Sequence, residues 1–203
     1  MIERARIEEL MTAKSSAYRF HDFITDLEMI TAVETMDEEK IRKIHRKMRL
    51  LLSGEEFLPE AAKKTDPKQY ARHLLHEDAK KRFVVVSLVW GPKQGTPIHD
   101  HSTWGVAGIL ANELRIVNYD RLDDGRKPGR AELREASSIT APTGTVIYVL
   151  PPNDEIHLLE NATDQVTITL HVYGKQITEC NKYDLAAQTY SPWKLSYDKV
   201  DVK

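Results

Sequence analysis

His99 and His101 stand one residue apart, and that spacing is the first sign of chemistry in the chain. On an extended backbone, residues i and i+2 share a face, so the two imidazoles project together while Asp100 points away. Two imidazoles so placed can chelate one ion, although such a pair also occurs in ordinary cores and surfaces. A second stretch runs from Gly144 through an apolar segment and the turn Pro151-Pro152 to His157 and Asn161. In a third, Thr169, His171 and Tyr173 alternate and share a face, where a hydroxyl, an imidazole and a phenol can form a relay. Arg72 offers a planar guanidinium fork suited to a carboxylate.

These side chains need a scaffold, and the texture of the chain says which. Up to about residue 62 the apolar positions recur at three- and four-residue spacing. They are Ile7, Leu10 and Met11, then Phe20, Phe23, Ile24 and Leu27, then Ile41, Ile44, Met48 and Leu51. Acidic residues from Asp37 open the last of these helices, and Ser53-Gly54 closes it. Asp66-Pro67 reads as an N-cap followed by proline at the first helical position, so a short helix through Tyr70 to Leu75 is expected. That helix would carry Arg72, with His73 and His76 facing solvent or rim.

From Arg82 onward the pattern changes to β-branched and aromatic runs. Phe83–Trp90 reads as a buried strand ended by Gly91-Pro92. Further strands are expected at Gly105–Leu110, Leu114–Tyr119, Thr145–Leu150, Glu155–Leu159 and Gln165–Tyr173, separated by turn residues such as Asp123-Asp124-Gly125. Many short strands at this spacing indicate a mainly β fold, a barrel or sandwich with an N-terminal helical layer. The boundaries expected are 1–65 for the helical segment and 66–203 for the barrel, the two forming one domain. The chain's end, with Tyr183, Tyr190, Trp193 and Tyr197, is expected to wrap the barrel as strand or loop.

Composition narrows the classes. The 203 residues carry 29 Lys and Arg against 31 Asp and Glu, a formal charge of −2, which lacks the basic footprint of a nucleic-acid binder. No apolar run is long enough to span a bilayer, and Met1–Arg6 lacks the apolar core of a secretory signal. A cytoplasmic protein is expected, a monomer or small homo-oligomer, with a small molecule as partner rather than nucleic acid or membrane. The single cysteine, Cys180, excludes an internal disulfide and a Cys-rich zinc module.

Taken together, the two histidine segments resemble the two-part cupin pattern. A glycine, His-x-His and a later glycine fill residues 91–108, and Gly144 to Asn161 supplies the second half. The resemblance implies a double-stranded β-helix barrel with one metal at its mouth. Many cupins add a glutamate a few residues after His-x-His, but Ser102 to Val106 holds no carboxylate. The implied site is therefore three neutral histidines, His99, His101 and His157, with His171 as the rival third ligand. Three ligands leave positions open for substrate and oxygen.

Tyr70-Ala71-Arg72, Trp90-Gly91, Pro97–His101 and Thr169–Tyr173 make the resemblance more specific, to the thiol dioxygenases acting on cysteine or 3-mercaptopropionate. It implies Fe(II) on the three histidines, a small thiol carboxylate and O2 as substrates, and a sulfinic acid as product. Arg72 would bind the carboxylate with Tyr70 assisting, and Tyr173 would hydrogen-bond to bound substrate or oxygen. Thr169 and His171 would complete its relay. Three features depart from the family pattern. Gly105-Val106 stands where animal cysteine dioxygenases place a cysteine that crosslinks to the tyrosine, so no such crosslink forms here. Thr169 replaces the usual serine. Arg72 resembles the cysteine branch, whereas Gly174 resembles the mercaptopropionate branch, which also carries an arginine where Lys182 stands here. A dicarboxylic thiol such as mercaptosuccinate would use both Arg72 and Lys182. The competing classes are a zinc cupin lyase, isomerase or hydrolase, and a non-catalytic ligand-binding cupin.

Overall fold

A computed structural model of the chain describes residues 18–152 and 155–200. The segment bearing Ile7, Leu10 and Met11 lies outside the described residues. Two helices follow, α1 (Phe20–Ala32) and α2 (Asp37–Leu52), then a short 3-10 turn at Glu60–Lys63. Helix α2 buries Ile41, Ile44, Met48 and Leu51, the stripe its spacing dictates, and Asp37, Glu38 and Glu39 occupy its first turn. That stripe joins Phe23 and Leu27 of α1 in one core with Val85, Val106, Leu170 and Val172 from the strands. Gly108 lets the helix lie close, because a Cβ there would meet Leu52 Cδ1 at 2.9 Å and Met48 Cγ at 3.0 Å.

Twelve strands follow: β1 (Ala71–Glu77), β2 (Val84–Trp90), β3 (Ile98–His99), β4 (Gly105–Ala111), β5 (Glu113–Arg121), β6 (Leu133–Pro142), β7 (Val146–Val149), β8 (His157–Glu160), β9 (Thr167–Tyr173), β10 (Glu179–Asp184), β11 (Thr189–Lys194) and β12 (Asp198–Lys199). They form two six-stranded sheets, ordered β12-β1-β2-β9-β4-β7 and β11-β10-β3-β8-β5-β6. From β2 to β5 and again from β7 to β10, each strand lies in the sheet opposite its predecessor, the winding of a double-stranded β-helix. Strand β9 sits between β2 and β4, and this central position brings Thr169, His171 and Tyr173 into the interior.

The expected helix from Tyr70 to Leu75 is corrected: residues 71–77 are β1. Asp66 does cap, but it closes a local turn by accepting the Lys68 N–H at 2.7 Å. The following residues instead join β2 in an antiparallel ladder from Ala71↔Val89 to Glu77↔Val84, and tertiary pairing outweighs the weak local signal. His73 and His76 are corrected with it. His73 is buried and its Nε2 meets the Lys64 carbonyl at 2.8 Å, while half-buried His76 stacks on Phe83 at 5.4 Å.

Strand β6 has no counterpart in the sequence reading. It is mostly exposed, so it lacks the apolar alternation that marks a strand, and its hairpin partner β5 holds it. Toward the C-terminus, β11 extends the second sheet beside β10, and β12 runs parallel to β1 in the first.

Candidate metal centre

Strand register assembles the histidines. His99 on β3 and His157 on β8 are direct partners across the ladder, and His101 follows just beyond the end of β3. The three rings stand 4.8 Å apart, centroid to centroid, in each of the three pairs. Their ligand nitrogens all lie within 4.8 Å of one another. His99 Nδ1 donates to the Pro97 carbonyl at 3.1 Å and His101 Nδ1 to that of Glu155 at 2.9 Å, which leaves each Nε2 a lone pair for an ion. His157 Nε2 is buried with no hydrogen-bond partner. A buried polar atom without a partner is costly, and a metal ion would satisfy it.

The electrostatics favour lone pairs over protons. Burial, then the neighbouring His101, pushes His99 well below the usual histidine range. Burial, with His101 and His99, does the same to His157. Burial lowers His101 to about 4. Among the described residues no carboxylate joins the group, so its donor chemistry is three neutral imidazoles, a set suited to iron, zinc, copper or nickel. Asp100 points away, as its place between the two histidines requires. Its carboxylate accepts hydrogen bonds from Asn181 N at 2.7 Å, Asn181 Nδ2 at 2.8 Å and Tyr183 Oη at 2.8 Å, which ties the histidine turn to β10. The Glu155 carboxylate accepts the His101 N–H at 3.0 Å, and burial raises it to about 7.

His171 stands apart from the triad with both nitrogens engaged. Nε2 meets Thr169 Oγ1 at 2.8 Å and Nδ1 meets Tyr173 Oη at 2.9 Å. Trp90 extends this chain by donating its indole N–H to Thr169 Oγ1 at 3.0 Å. Gly105 gives the Tyr173 ring its room, since a Cβ there would lie 2.9 Å from Tyr173 Cδ1.

Arg72 and Tyr70 reach the same cavity as His99, His101 and Tyr173. Tyr70 is buried and stacks on Trp90 at 4.5 Å. Arg72 lies over the Tyr197 ring, 4.3 Å from its centroid, and its Nε is buried without a partner. No carboxylate pairs with this guanidinium among the described residues. Lys182 is exposed on β10 opposite His99 and does not line the cavity.

Sequence reasoning missed Trp90 as a relay anchor, and also Cys180, Trp193, Leu195 and Tyr197, the first three of which line the cavity. The alternation of Trp193, Leu195 and Tyr197 was the available signal.

The cysteine dioxygenase type I family model matches residues 9–186, most of the chain. The chain belongs to that family. Among curated proteins it is similar to cysteine dioxygenase type 1 of Danio rerio, 27% identical over 143 residues. That match covers 66% of this chain and 65% of the relative, just under two thirds of its length. Among solved structures, an RmlC-like cupin protein from Desulfovibrio desulfuricans matches at 23% identity and TM-score 0.39, over 61% of this chain and 92% of the other. Hydroquinone 1,2-dioxygenase matches at 14% identity and TM-score 0.43, over 58% and 70%. Among the described residues, no helix is long and apolar enough to cross a membrane.

Proposed function

We propose that the chain is a ferrous thiol dioxygenase that converts a small thiol monocarboxylate, L-cysteine or 3-mercaptopropionate, to its sulfinic acid. The observation that carries this reading is the sharing of one cavity by His99 and His101 of the buried imidazole group, a guanidinium that pairs with no carboxylate among the described residues, and a relayed phenol. Family membership supports the same reaction class. The balance is closed: thiolate and O2 combine to give the sulfinate, with no further reductant. Ferrous iron, held by His99, His101 and His157, supplies when bound a one-electron path between sulfur and triplet dioxygen.

The chain's own groups orient and hold protons. Arg72 clamps the carboxylate through its planar fork, a charge-assisted contact that fixes the sulfur's distance from the histidines. Burial raises Tyr70 to about 12, so its phenol stays protonated beside the clamp as a second donor. Burial likewise raises Tyr173, so it too remains a phenol that donates a hydrogen bond into the cavity. Leu88, Trp90 and Leu159 exclude water on the barrel side. A dicarboxylic thiol is disfavoured because Arg72 is the one cation lining the cavity among the described residues.

Turnover under 18O2 tests the reading. Both labelled atoms should appear in one sulfinate product, whereas label in one atom, or a disulfide product, would contradict it.

A further inference from the structure

The cavity against the histidines measures about 20 Å³, room for roughly one water molecule. A thiol carboxylate is several times larger. Outside it lies a second cavity of about 90 Å³, lined by Asp66, Gln69, Lys194, Ser196 and Asp198. Both cavities are also lined by Tyr70, Arg72, Trp193 and Leu195, so these four side chains are the wall between them. Arg72 belongs to β1, paired on both sides by β12 and β2, and Tyr70 immediately precedes that strand. Trp193 and Leu195 belong to the C-terminal chain where it leaves one sheet at Lys194 and joins the other at Asp198.

That crossing has two faces. Trp193, Leu195 and Tyr197 are half-buried and pack on the core that includes Tyr173, Ile177 and Cys180, while Lys194, Ser196 and Asp198 are exposed. The Trp193 ring stands edge-on to His99 at 5.4 Å. The Tyr197 hydroxyl accepts the Ile177 N–H at 3.1 Å and donates to the Ile177 carbonyl at 2.9 Å, while its ring supports the Arg72 guanidinium. Leu195 N–H donates to Thr178 O at 2.9 Å.

We propose that Trp193–Tyr197 is a substrate-selecting strap. Substrate passes from the outer cavity to the histidines when the strap lifts, the Tyr197 hydroxyl latches it closed, and Trp193 and Leu195 set how bulky a thiol the chamber accepts. The barrel side of the wall yields less easily, because β1, which carries Arg72, is flanked by β12 and β2, whereas Trp193 and Lys194 lie on the edge strand β11 and pair with β10. The opening rests on geometry alone; the selection among thiols rests on the dioxygenase reading above.

Cys180 is the chain's one cysteine, is buried, and lines the inner cavity, so its alkylation by iodoacetamide reports strap opening without turnover. Anaerobic, iron-loaded full-length Tyr197→Phe should alkylate about fivefold faster than wild type, the loss expected for one good hydrogen bond. Asp78→Asn, in the turn between β1 and β2, should weaken the fold without changing that rate. Equal rates in Tyr197→Phe and wild type, or equal acceleration in both variants, would overturn the latch. Leu195→Ala should raise the ratio of kcat/KM for a thiol carboxylate methylated beside the sulfur over its unbranched parent by about tenfold. An unchanged ratio overturns the selection. Absence of turnover by wild type overturns the dioxygenase reading and the selection with it, while the alkylation rates still decide the latch.

Discussion

Trp90 donates its indole N–H to Thr169 Oγ1 at 3.0 Å across the β2–β9 ladder, and this contact anchors the hydrogen-bond chain behind Tyr173. An indole nitrogen can only donate, so the Thr169 oxygen accepts, and its own hydrogen is available to His171 Nε2 at 2.8 Å. Burial lowers His171 to about 3, so the ring is neutral, and with its hydrogen on Nδ1 it donates to Tyr173 Oη. The Tyr173 hydrogen is then left for the cavity. Tyr173→Phe should lower kcat by about a hundredfold. Thr169→Val, which removes only the hydroxyl, should lower it about tenfold. Metal content should match wild type in both, as read by elemental analysis beside steady-state rates.

The two roles assigned to histidines separate under mutation. His157→Ala removes a nitrogen with no other partner and should abolish stoichiometric metal binding. His171→Ala should retain the metal and lose rate. Metal titration of both variants checks this, and the reverse pattern would exchange the two assignments.

Among the described residues Arg72 has no internal anion to neutralise it, so its contribution should appear in substrate binding. Arg72→Gln should raise KM for thiol carboxylates by roughly ten- to a hundredfold. The KM for cysteamine, which lacks a carboxylate, should not change. Arg72→Lys should restore little, because an ammonium cannot make the planar two-point contact.

Away from the site, buried Asp78 accepts hydrogen bonds from Lys80 N, Arg82 N and Arg82 Nε, and pairs with Arg82 Nη2 at 2.6 Å. Hydrogen bonding from the Arg82 guanidinium holds its carboxyl well below the usual range. A depressed folded-state value means the stabilisation is present above the unfolded-state value and is lost as pH falls. Asp78→Asn should cost about 2 kcal/mol near neutral pH. The gap from wild type should close as pH drops below about 4, the carboxylate's unfolded value. Urea unfolding across that range measures it.

What the sequence made legible was local or periodic. The α2 stripe, the buried run at Val84–Trp90 and the alternation of Thr169, His171 and Tyr173 each follow from one repeating spacing. The pairing of His99 with His157 was reached through a resemblance rather than through spacing, since fifty-odd residues of chain separate the two. Strand β1 was misread because Asp66-Pro67 imitates a helix start, while the ladder to Val84–Val89 that overrides it lies in residues far along the chain. Strand β6 was invisible because Arg134, Glu135, Ser137 and Ser138 face solvent. The Trp90–Thr169 contact and the Arg72–Tyr197 stack join residues 79 and 125 positions apart, and only the folded sheets reveal them.

Oxygen uptake tests the central claim most directly. Iron-loaded protein would be given L-cysteine, 3-mercaptopropionate, mercaptosuccinate and cysteamine in separate runs, with sulfinate measured alongside. One O2 consumed per sulfinate formed is expected, with a monocarboxylate thiol preferred and both mercaptosuccinate and cysteamine poor. No uptake with any thiol despite bound iron, or uptake without sulfinate, would contradict a thiol dioxygenase.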